Sequence, residues 1–316
     1  MKTKILTFSQ LQEAARLLYQ GQLVAIPTET VYGLAALISS ESAISSIFAV
    51  KKRPADNPLI VHIANLKQLD QIALPPSKLF FQLTEAFFPG PLTMIIPRHR
   101  DLSPLISAGL DSVAIRMPAH PIAMDLIQML EVPIVAPSAN LSGRPSATDM
   151  QHVLDDFDQK ISAVIDGGRS TFGVESTVIS LLSNPHVILR PGNITKQEIE
   201  NVLGRTIDVQ ISLQKGPVYS PGMKYRHYAP CIPVKLFYER EQIDSYCKKT
   251  ASNRKMLLST GSFFLENCAH YKLSTQDLYA CFRHAEKSNY SEILIFCDSI
   301  TQSNIALMNR LIKASD

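Results

Sequence analysis

Residues 23–34 read LVAIPTETVYGL, and this stretch decides the fold. Its first five residues form an unbroken apolar run, which predicts a buried β-strand. Two hydroxyls, a carboxylate, a phenol and a glycine follow within the next six residues. Because α/β sheets bind ligands beyond the ends of their strands, this polar tip predicts a ligand site. The alternative interpretation is a tight turn in which Thr28 or Thr30 caps a helix.

Apolar runs alternate with helical patterns on both sides of that strand. The preceding helix is predicted from Ser9 to Tyr19, with Ser9 and Gln12 at the spacing of a capping box. Further strands are predicted at residues 59–64, 92–97, 113–117, 134–136, 163–165, 177–182 and 187–189. Alternation of this kind predicts a mixed α/β domain over residues 1–211.

The composition changes after that domain. Residues 212–233 are rich in proline and glycine, which suppress helices and ladders and therefore predict a linker. Strand-like runs return at 234–238, 255–259 and 293–296, and a closing helix is predicted over 303–313. We therefore expect a second, smaller α/β domain over residues 234–316, with a partly parallel sheet.

Bulk composition excludes several classes of protein. The chain has 316 residues, of which 46% are hydrophobic and 19% charged, so it is expected to fold as about two domains. Its apolar runs are shorter than the roughly 20 residues that span a bilayer, and no signal peptide is apparent, so a cytoplasmic location is expected. Its five cysteines form no C-x-x-C pair. A net charge of +3 does not by itself indicate a nucleic-acid partner.

Two loops carry groups suited to phosphate. Lys51 and Arg53, followed by Asn57 and His62, stand between a predicted helix and a strand. An ammonium and a forked guanidinium in one loop suit a polyphosphate, although cations at a helix end also favour its dipole. The second loop, residues 136–145, carries Ser138, Asn140, Ser142 and Arg144. It is also compatible with an ordinary β-to-α loop whose side chains satisfy their own turns.

A third group of polar residues lies within or beside apolar strands. Arg116 stands inside the run VAIRM, close to Ser112, and a buried arginine is costly unless it meets an anion. Ser176 opens one predicted strand and Arg190 ends another. The alternative is an edge strand with Arg116 in water. The chain has no Walker phosphate loop and no G-x-G-x-x-G after a strand, so any nucleotide must be held in another way.

Seven segments, in this order, resemble the threonylcarbamoyl-AMP synthases of the YrdC-like fold. They are PTETVYGL (27–34), KKRPADNPL (51–59), VAIRMP (113–118), APSANLSG (136–143), ESTV (175–178), LRPG (189–192) and PGMKYRHYAP (221–230). The last segment is similar to the linker of the longer, two-domain branch of the family. The resemblance implies a YrdC-like twisted mixed sheet around a basic cavity, with a smaller Rossmann-like C-terminal α/β domain.

The resemblance also implies roles for individual residues. The family's Lys-x-Arg and Ser-x-Asn signature falls on the proposed catalytic residues Lys51, Arg53, Ser138 and Asn140. Threonine would be bound by Thr30, His62, Arg116, the backbone of Ala136, and Ser176. ATP would be bound by Lys51, Arg53, Asn57, Ser112, Ser138, Arg144 or Ser146, Arg190 and Tyr225.

The implied reaction joins L-threonine, bicarbonate and ATP into threonylcarbamoyl-AMP, with release of pyrophosphate, as the first step of a tRNA modification. ATP is then a substrate, Mg²⁺ accompanies it, and the product passes to a tRNA-modifying threonylcarbamoyl transferase machinery. Tyr225, Arg226 and His227 would close the linker over the site. The helix near the C-terminus keeps the family's Asn309-Arg310-Leu311 ending but lacks its glycine-rich start.

Two other functions compete with this one. A structured-RNA-binding module could use the same basic cavity without turning over ATP. A different enzyme that makes a carbamoyl-adenylate could contain a related domain, but such enzymes are much longer and carry zinc-finger cysteine pairs. This chain has neither feature.

Overall fold

The computed structural model describes residues 2–210, 227–250, 254–261, 263, 265–266 and 268–315. The chain divides into two units, and each is described by itself below. The first comprises residues 1–142 and 147–224, and the second comprises residues 143–146 and 225–316. Most of the predicted linker, including Tyr225 and Arg226, lies outside the described residues. No described helix is both long enough and apolar enough to cross a membrane.

A mixed sheet organises the described part of the first unit. Its strands are β1 Lys4–Leu6, β2 Val24–Ile26, β3 Gly33–Leu37, β4 Ile60–His62, β5 Leu92–Pro97, β6 Ser112–Arg116, β7 Ile134–Val135, β8 Ala163–Ile165, β9 Thr177–Ser180, β10 Val187–Arg190 and β11 Asp208–Val209. They lie in the order β1-β8-β2-β3-β7-β4-β6-β5-β9-β10-β11. Parallel and antiparallel neighbours alternate irregularly, with β4 parallel to β6 and β5 antiparallel to it. The predicted mixed α/β fold is confirmed.

Helices cover both faces of this sheet. They are α1 Leu11–Tyr19, α2 Glu41–Lys51, α3 Lys78–Phe87, α4 Pro104–Ser107, α5 Pro121–Leu130, α6 Met150–Phe157 and α7 Lys196–Leu203. Alternate residues of a strand point to opposite faces. Accordingly Leu34 and Ala36 of β3 belong to the cluster with α2 and α3, whereas Ala35 and Leu37 belong to the cluster with α1 and α5. A strand that is buried on both faces reads as a continuous apolar run.

The predicted capping box at the first helix was placed two residues too late. A short 3-10 helix, Phe8–Gln10, precedes α1, and Thr7 and Gln10 form the capping box. Thr7 has the extended backbone of a cap residue, at φ −106° and ψ 173°, while Ser9 is already inside the 3-10 turn. Both pairs fit the S/T-x-x-Q pattern, so spacing alone did not separate them.

Helix α2 fixes the position of the predicted phosphate-binding cations. The Ser40 hydroxyl accepts a hydrogen bond from the Ala43 amide at 3.3 Å and begins the helix. Lys52 has a left-handed backbone, at φ 51°, and ends it. Lys51 therefore occupies the last helical residue and is buried, whereas Lys52 is exposed.

The described part of the second unit contains a smaller, fully parallel sheet. Its strands are β12 Val234–Phe237, β13 Lys255–Ser259, β14 Cys268–Lys272 and β15 Glu292–Phe296, in the order β12-β15-β13-β14. Its helices are α8 Arg240–Lys249, α9 Leu278–Lys287, α10 Ser299–Ser303 and α11 Ile305–Ser315. Three of these strands were predicted, and β14 was missed because its CAHYK sequence carries no clear apolar pattern.

The Asn309-Arg310-Leu311 ending of the second unit contributes a buried arginine to the packing of that unit. Arg310 of α11 is fully buried, with its guanidinium 5.2 Å from the centre of the Tyr228 ring. The Tyr228 ring stacks on Tyr279 of α9, with 5.7 Å between ring centres. Arg310 and Tyr279 therefore anchor the residue that follows His227.

Candidate active site

The polar tip after β2 is a turn built by Thr28. The Thr28 hydroxyl accepts hydrogen bonds from the amides of Thr30 and Val31, each at 3.2 Å, and donates to the Val31 carbonyl at 2.5 Å. β3 begins at Gly33, so Thr28 shapes a strand-to-strand turn and caps no helix. The turn leaves Glu29 and Thr30 buried beside each other.

Arg116 lies in the interior of the sheet. It ends β6, which lies between β4 and β5, and only 4% of the residue is exposed. Its guanidinium donates to Glu29 Oε1 at 2.6 Å, to Thr30 Oγ1 at 2.8 Å and to the Gly90 carbonyl at 3.3 Å. The edge-strand alternative is therefore wrong. One N–H on each terminal nitrogen has no partner among the described residues.

His62 lies directly beside Arg116. The two residues are paired in the parallel register of β4 and β6. Burial, together with the nearby Arg116 charge, lowers the pKa of His62 to about 3, against a smaller opposing effect from the Ile60 carbonyl. His62 is consequently a neutral imidazole at physiological pH and can donate or accept a hydrogen bond without adding charge.

Ser176 and Arg190 form a second buried pair. The Arg190 guanidinium donates to the Ser176 carbonyl at 3.0 Å and to its hydroxyl at 3.1 Å. The same hydroxyl lies 2.7 Å from that of Thr93 in β5. Because β5 lies between β6 and β9, this group is placed one strand away from Arg116.

Lys51 joins the end of α2 to the Ser-x-Asn loop. Its ammonium donates to the carbonyl oxygens of Ser138 and Asn140, each at 2.5 Å. Burial, and secondarily the charge of Arg53, holds the pKa of Lys51 well below its usual range. Arg53 in turn donates to the carbonyls of Asn57 at 3.2 Å and of Pro58 at 2.9 Å.

The segment that follows β2 and the loop that follows β7 are hydrogen-bonded to each other. The Ala139 amide donates to the Tyr32 carbonyl, and the Leu34 amide to the Pro137 carbonyl, both at 2.7 Å. Gly33 permits this approach, because a Cβ atom on it would meet the Cβ of Ala136 at 3.1 Å. The sheet therefore gathers the loops after β2, β4, β6 and β7 into one polar region.

The remaining predicted site residues are placed as follows. The Ala136 amide donates to the Ile60 carbonyl at 3.2 Å, and Ser112 is buried at the start of β6. Arg144 and Ser146 belong to the second unit, where Arg144 pairs with Glu286 at 2.5 Å. Tyr225 lies outside the described residues.

Two buried polar residues were not assigned a role by sequence reasoning. Glu29 was noted only as part of the polar tip, yet it is the carboxylate that pairs with Arg116. Thr93 was missed altogether, although a lone hydroxyl in the apolar strand LTMIIP is the same kind of signal as Arg116. No group of three or more His, Cys, Asp or Glu side chains suited to a metal occurs among the described residues.

Comparison with known proteins identifies the class to which this fold and site belong. The sequence model of the family described as "Telomere recombination", which covers the Sua5, YciO and YrdC proteins, matches residues 16–192. A second model, described as the threonylcarbamoyl-AMP synthase C-terminal domain, matches residues 194–316. The chain belongs to the family of threonylcarbamoyl-AMP synthases.

Individual relatives match along nearly the whole chain. A threonylcarbamoyl-AMP synthase of Bacillus subtilis is 42% identical, over 97% of this chain and 93% of the relative. One from Pyrococcus abyssi is 41% identical, over 96% and 93% of the two chains. The crystal structure of P. abyssi Sua5 complexed with L-threonine covers 99% of this chain and 98% of its own, at 39% identity and a TM-score of 0.92.

Proposed function

We propose that this chain forms threonylcarbamoyl-AMP and pyrophosphate from L-threonine, bicarbonate and ATP, as a nucleotidyltransferase acting in tRNA modification. The observation that carries the proposal is the burial of Arg116 and its hydrogen bonding. It is a buried guanidinium that already has partners on three sides, and it keeps one N–H on each terminal nitrogen for a ligand. Such a pair of donors suits the two oxygens of an α-carboxylate.

The threonine site is proposed around that guanidinium. Thr30 orients Arg116 and supplies a hydroxyl, and neutral His62 supplies a group for the substrate's own hydroxyl. Ser176 and the backbone of Ala136 complete the site. All of these residues are buried, so a bound amino acid would be removed from water, where charge-assisted hydrogen bonds are stronger.

The ATP site is proposed at the ends of α2, β7 and β10. Following the resemblance, its residues are Lys51, Arg53, Asn57, Ser112, Ser138, Arg190, Arg144 or Ser146, and Tyr225, while Asn140 joins Lys51, Arg53 and Ser138 as a proposed catalytic residue. Asn57 Oδ1 is buried without a hydrogen-bond donor among the described residues, which suits an acceptor for an amino group. Lys51 acts by holding the carbonyls of Ser138 and Asn140, and thus the shape of the loop that faces the nucleotide.

The reaction requires positioning and charge neutralisation. The amine of threonine becomes a carbamate, whose oxygen attacks the α-phosphorus of ATP while pyrophosphate leaves. Holding the unstable carbamate beside ATP makes the second step effectively unimolecular, an effect worth up to about 7–11 kcal/mol. Guanidinium groups at fixed positions stabilise charge as it develops on the phosphates. Mg²⁺ belongs to the substrate here, since it is generally held by phosphates, waters and one or two carboxylates.

We also propose a role for each segment of the chain and a destination for the product. Residues 1–211 form the catalytic domain, residues 212–233 a linker that closes over the site, and residues 234–316 the C-terminal domain. The product passes to a threonylcarbamoyl transferase machinery that modifies tRNA, in the cytoplasmic location predicted from the sequence. Closure by the linker would exclude water from the labile carbamate.

Pyrophosphate release tests the proposal. The purified chain is incubated with ATP, Mg²⁺ and bicarbonate, with L-threonine, with L-serine, or without an amino acid. We expect release that depends on threonine and exceeds the release with serine, because serine lacks the methyl group that fills the buried site. Release that ignores the amino acid would contradict the proposal.

A further inference from the structure

The carboxylate of Glu29 stands out among the buried groups of the first unit. Its Oε1 pairs with Arg116 at 2.6 Å, while its Oε2 is buried and accepts no hydrogen bond from the described residues. An unpaired oxygen on a buried carboxylate is costly, so such an atom calls for a donor. The atom belongs to the residue next to Thr30, in the turn shaped by Thr28.

We propose that Glu29 Oε2 binds the amino group of the substrate and accepts the proton that this group must lose before the carbamate can form. The inference rests on the proposed threonine site. An α-amino acid carries its ammonium and its carboxylate on one carbon. A paired carboxylate and guanidinium therefore present the complementary charges at adjacent positions, Glu29 for the ammonium and Arg116 for the carboxylate.

The proton transfer completes the chemistry of carboxylation. One N–H bond of the ammonium breaks, its electron pair stays on nitrogen, and the proton passes to Glu29 Oε2. Glu29 then gives this proton to bicarbonate, which loses water and becomes carbon dioxide. The nitrogen lone pair forms the N–C bond, a carbonyl electron pair moves onto oxygen, and the second amine proton leaves to solvent. The net change consumes the ammonium form and bicarbonate, and yields the carbamate, water and one proton.

The charged and titratable groups around Glu29 are compatible with this role. Arg116 of β6 faces it as its ion-pair partner, and His62 of β4 stands beside Arg116. His120, at the start of α5, also faces it: burial lowers the pKa of His120, and a hydrogen bond to the Gly167 backbone and the charge of Glu29 partly oppose that shift. Both histidines are therefore largely neutral near pH 7. The ion-pair partner of Arg116 in this group is Glu29.

Substitution of Glu29 by glutamine tests the proposal, because the amide keeps an acceptor for Arg116 but cannot take a proton. We expect Glu29→Gln to lower the rate of adenylate formation roughly 100-fold near neutral pH. The deficit should shrink as the pH approaches the alkaline range in which the ammonium of free threonine deprotonates in solution, above the range of a peptide α-amino group. A deficit that stays constant between about pH 7 and pH 9.5 would overturn the proposal.

A binding measurement separates this role from simple support of Arg116. The ligands are L-threonine and its analogue 2,3-dihydroxybutanoate, in which a hydroxyl replaces the amine. Glu29→Gln should weaken threonine binding about 10- to 150-fold while changing analogue binding little. Thr30→Val, which removes the other side-chain partner of Arg116, should weaken both ligands alike. Equal losses for both ligands in Glu29→Gln would assign Glu29 to Arg116 alone and overturn the proposal.

Glu29→Asp keeps the experiment decisive if the glutamine variant fails to fold. It retains a proton acceptor but withdraws it by one methylene, so we expect slower turnover with the wild-type dependence on pH. Unchanged turnover in Glu29→Asp would overturn the proposal. Failure of the wild-type chain itself to bind threonine would instead contradict the proposed function, so the two failures are distinguishable.

Discussion

His62 and Arg116 lie directly opposite each other in the parallel pair of β4 and β6. A neutral imidazole is thereby placed against a guanidinium, and the pKa of His62 falls to about 3 through burial and the neighbouring charge. An uncharged hydrogen-bonding group, the His62 imidazole, therefore lies beside the charged guanidinium of Arg116. That arrangement suits a ligand with one carboxylate and one hydroxyl.

The depressed pKa of His62 predicts how stability depends on pH. Below about pH 6.5 the unfolded chain protonates this histidine while the folded chain does not, so the free energy of unfolding falls as pH falls towards 3. Between pH 7 and pH 4 the contribution is on the order of 3 kcal/mol, at about 1.4 kcal/mol per pH unit. Urea unfolding of wild type and His62→Gln at both pH values checks this. The variant should lose less stability on acidification, and equal losses would contradict the assignment.

Arg116→Ala should raise the threonine requirement while leaving ATP binding nearly unchanged. The lost charge-assisted bonds to the substrate carboxylate are worth about 1.5–3 kcal/mol, or roughly 10- to 150-fold. Separate titrations of threonine and ATP measure the two effects. Arg98→Ala is the control, since Arg98 donates to the carbonyls of Leu110 and Leu102 and has no proposed ligand. An equal loss for both substrates in Arg116→Ala would mean that Arg116 is purely structural.

Lys51→Met should reduce both ATP use and stability, while the neighbouring Lys52→Met should do neither. Loss of the Lys51 ammonium removes the hydrogen bonds that it donates to the carbonyl oxygens of Ser138 and Asn140, at a cost of about 1–3 kcal/mol. Lys52 is exposed at the helix end. Denaturant unfolding and ATP titration on both variants make the comparison. Identical behaviour of the two variants would show that charge near the helix end matters and the loop contacts do not.

The sequence predicted the position of Arg116 well but the position of Lys51 poorly. A single cation in the apolar strand VAIRM must be paired or exposed, and that argument is local. The contact of Lys51 with the Ser138 and Asn140 carbonyls joins residues nearly ninety positions apart. It depends on where α2 ends relative to the loop after β7, which no local pattern specifies. The mixed α/β class was predicted from the alternation of strand-like and helical patterns. The order of the strands in the sheet depends on pairing between distant segments, which no local pattern specifies.

The linker prediction concerns Tyr225, Arg226 and His227. Changing all three to alanine should slow adenylate formation and remove the protection that ATP gives the linker against proteolysis. The control changes residues 218–220 of the same linker to alanine, because they precede the cluster and are not proposed to contact the nucleotide. Wild-type activity and protection in the first variant would make the linker a spacer.

The fate of the bicarbonate carbon tests the central claim most directly. The chain is incubated with ATP, Mg²⁺, L-threonine and ¹³C-bicarbonate, and the adenylate is analysed by mass spectrometry. We expect a threonylcarbamoyl-adenylate whose carbamoyl carbon carries the label, formed together with pyrophosphate. An adenylate without the label, or pyrophosphate release without any carbamoyl product, would contradict the proposed reaction.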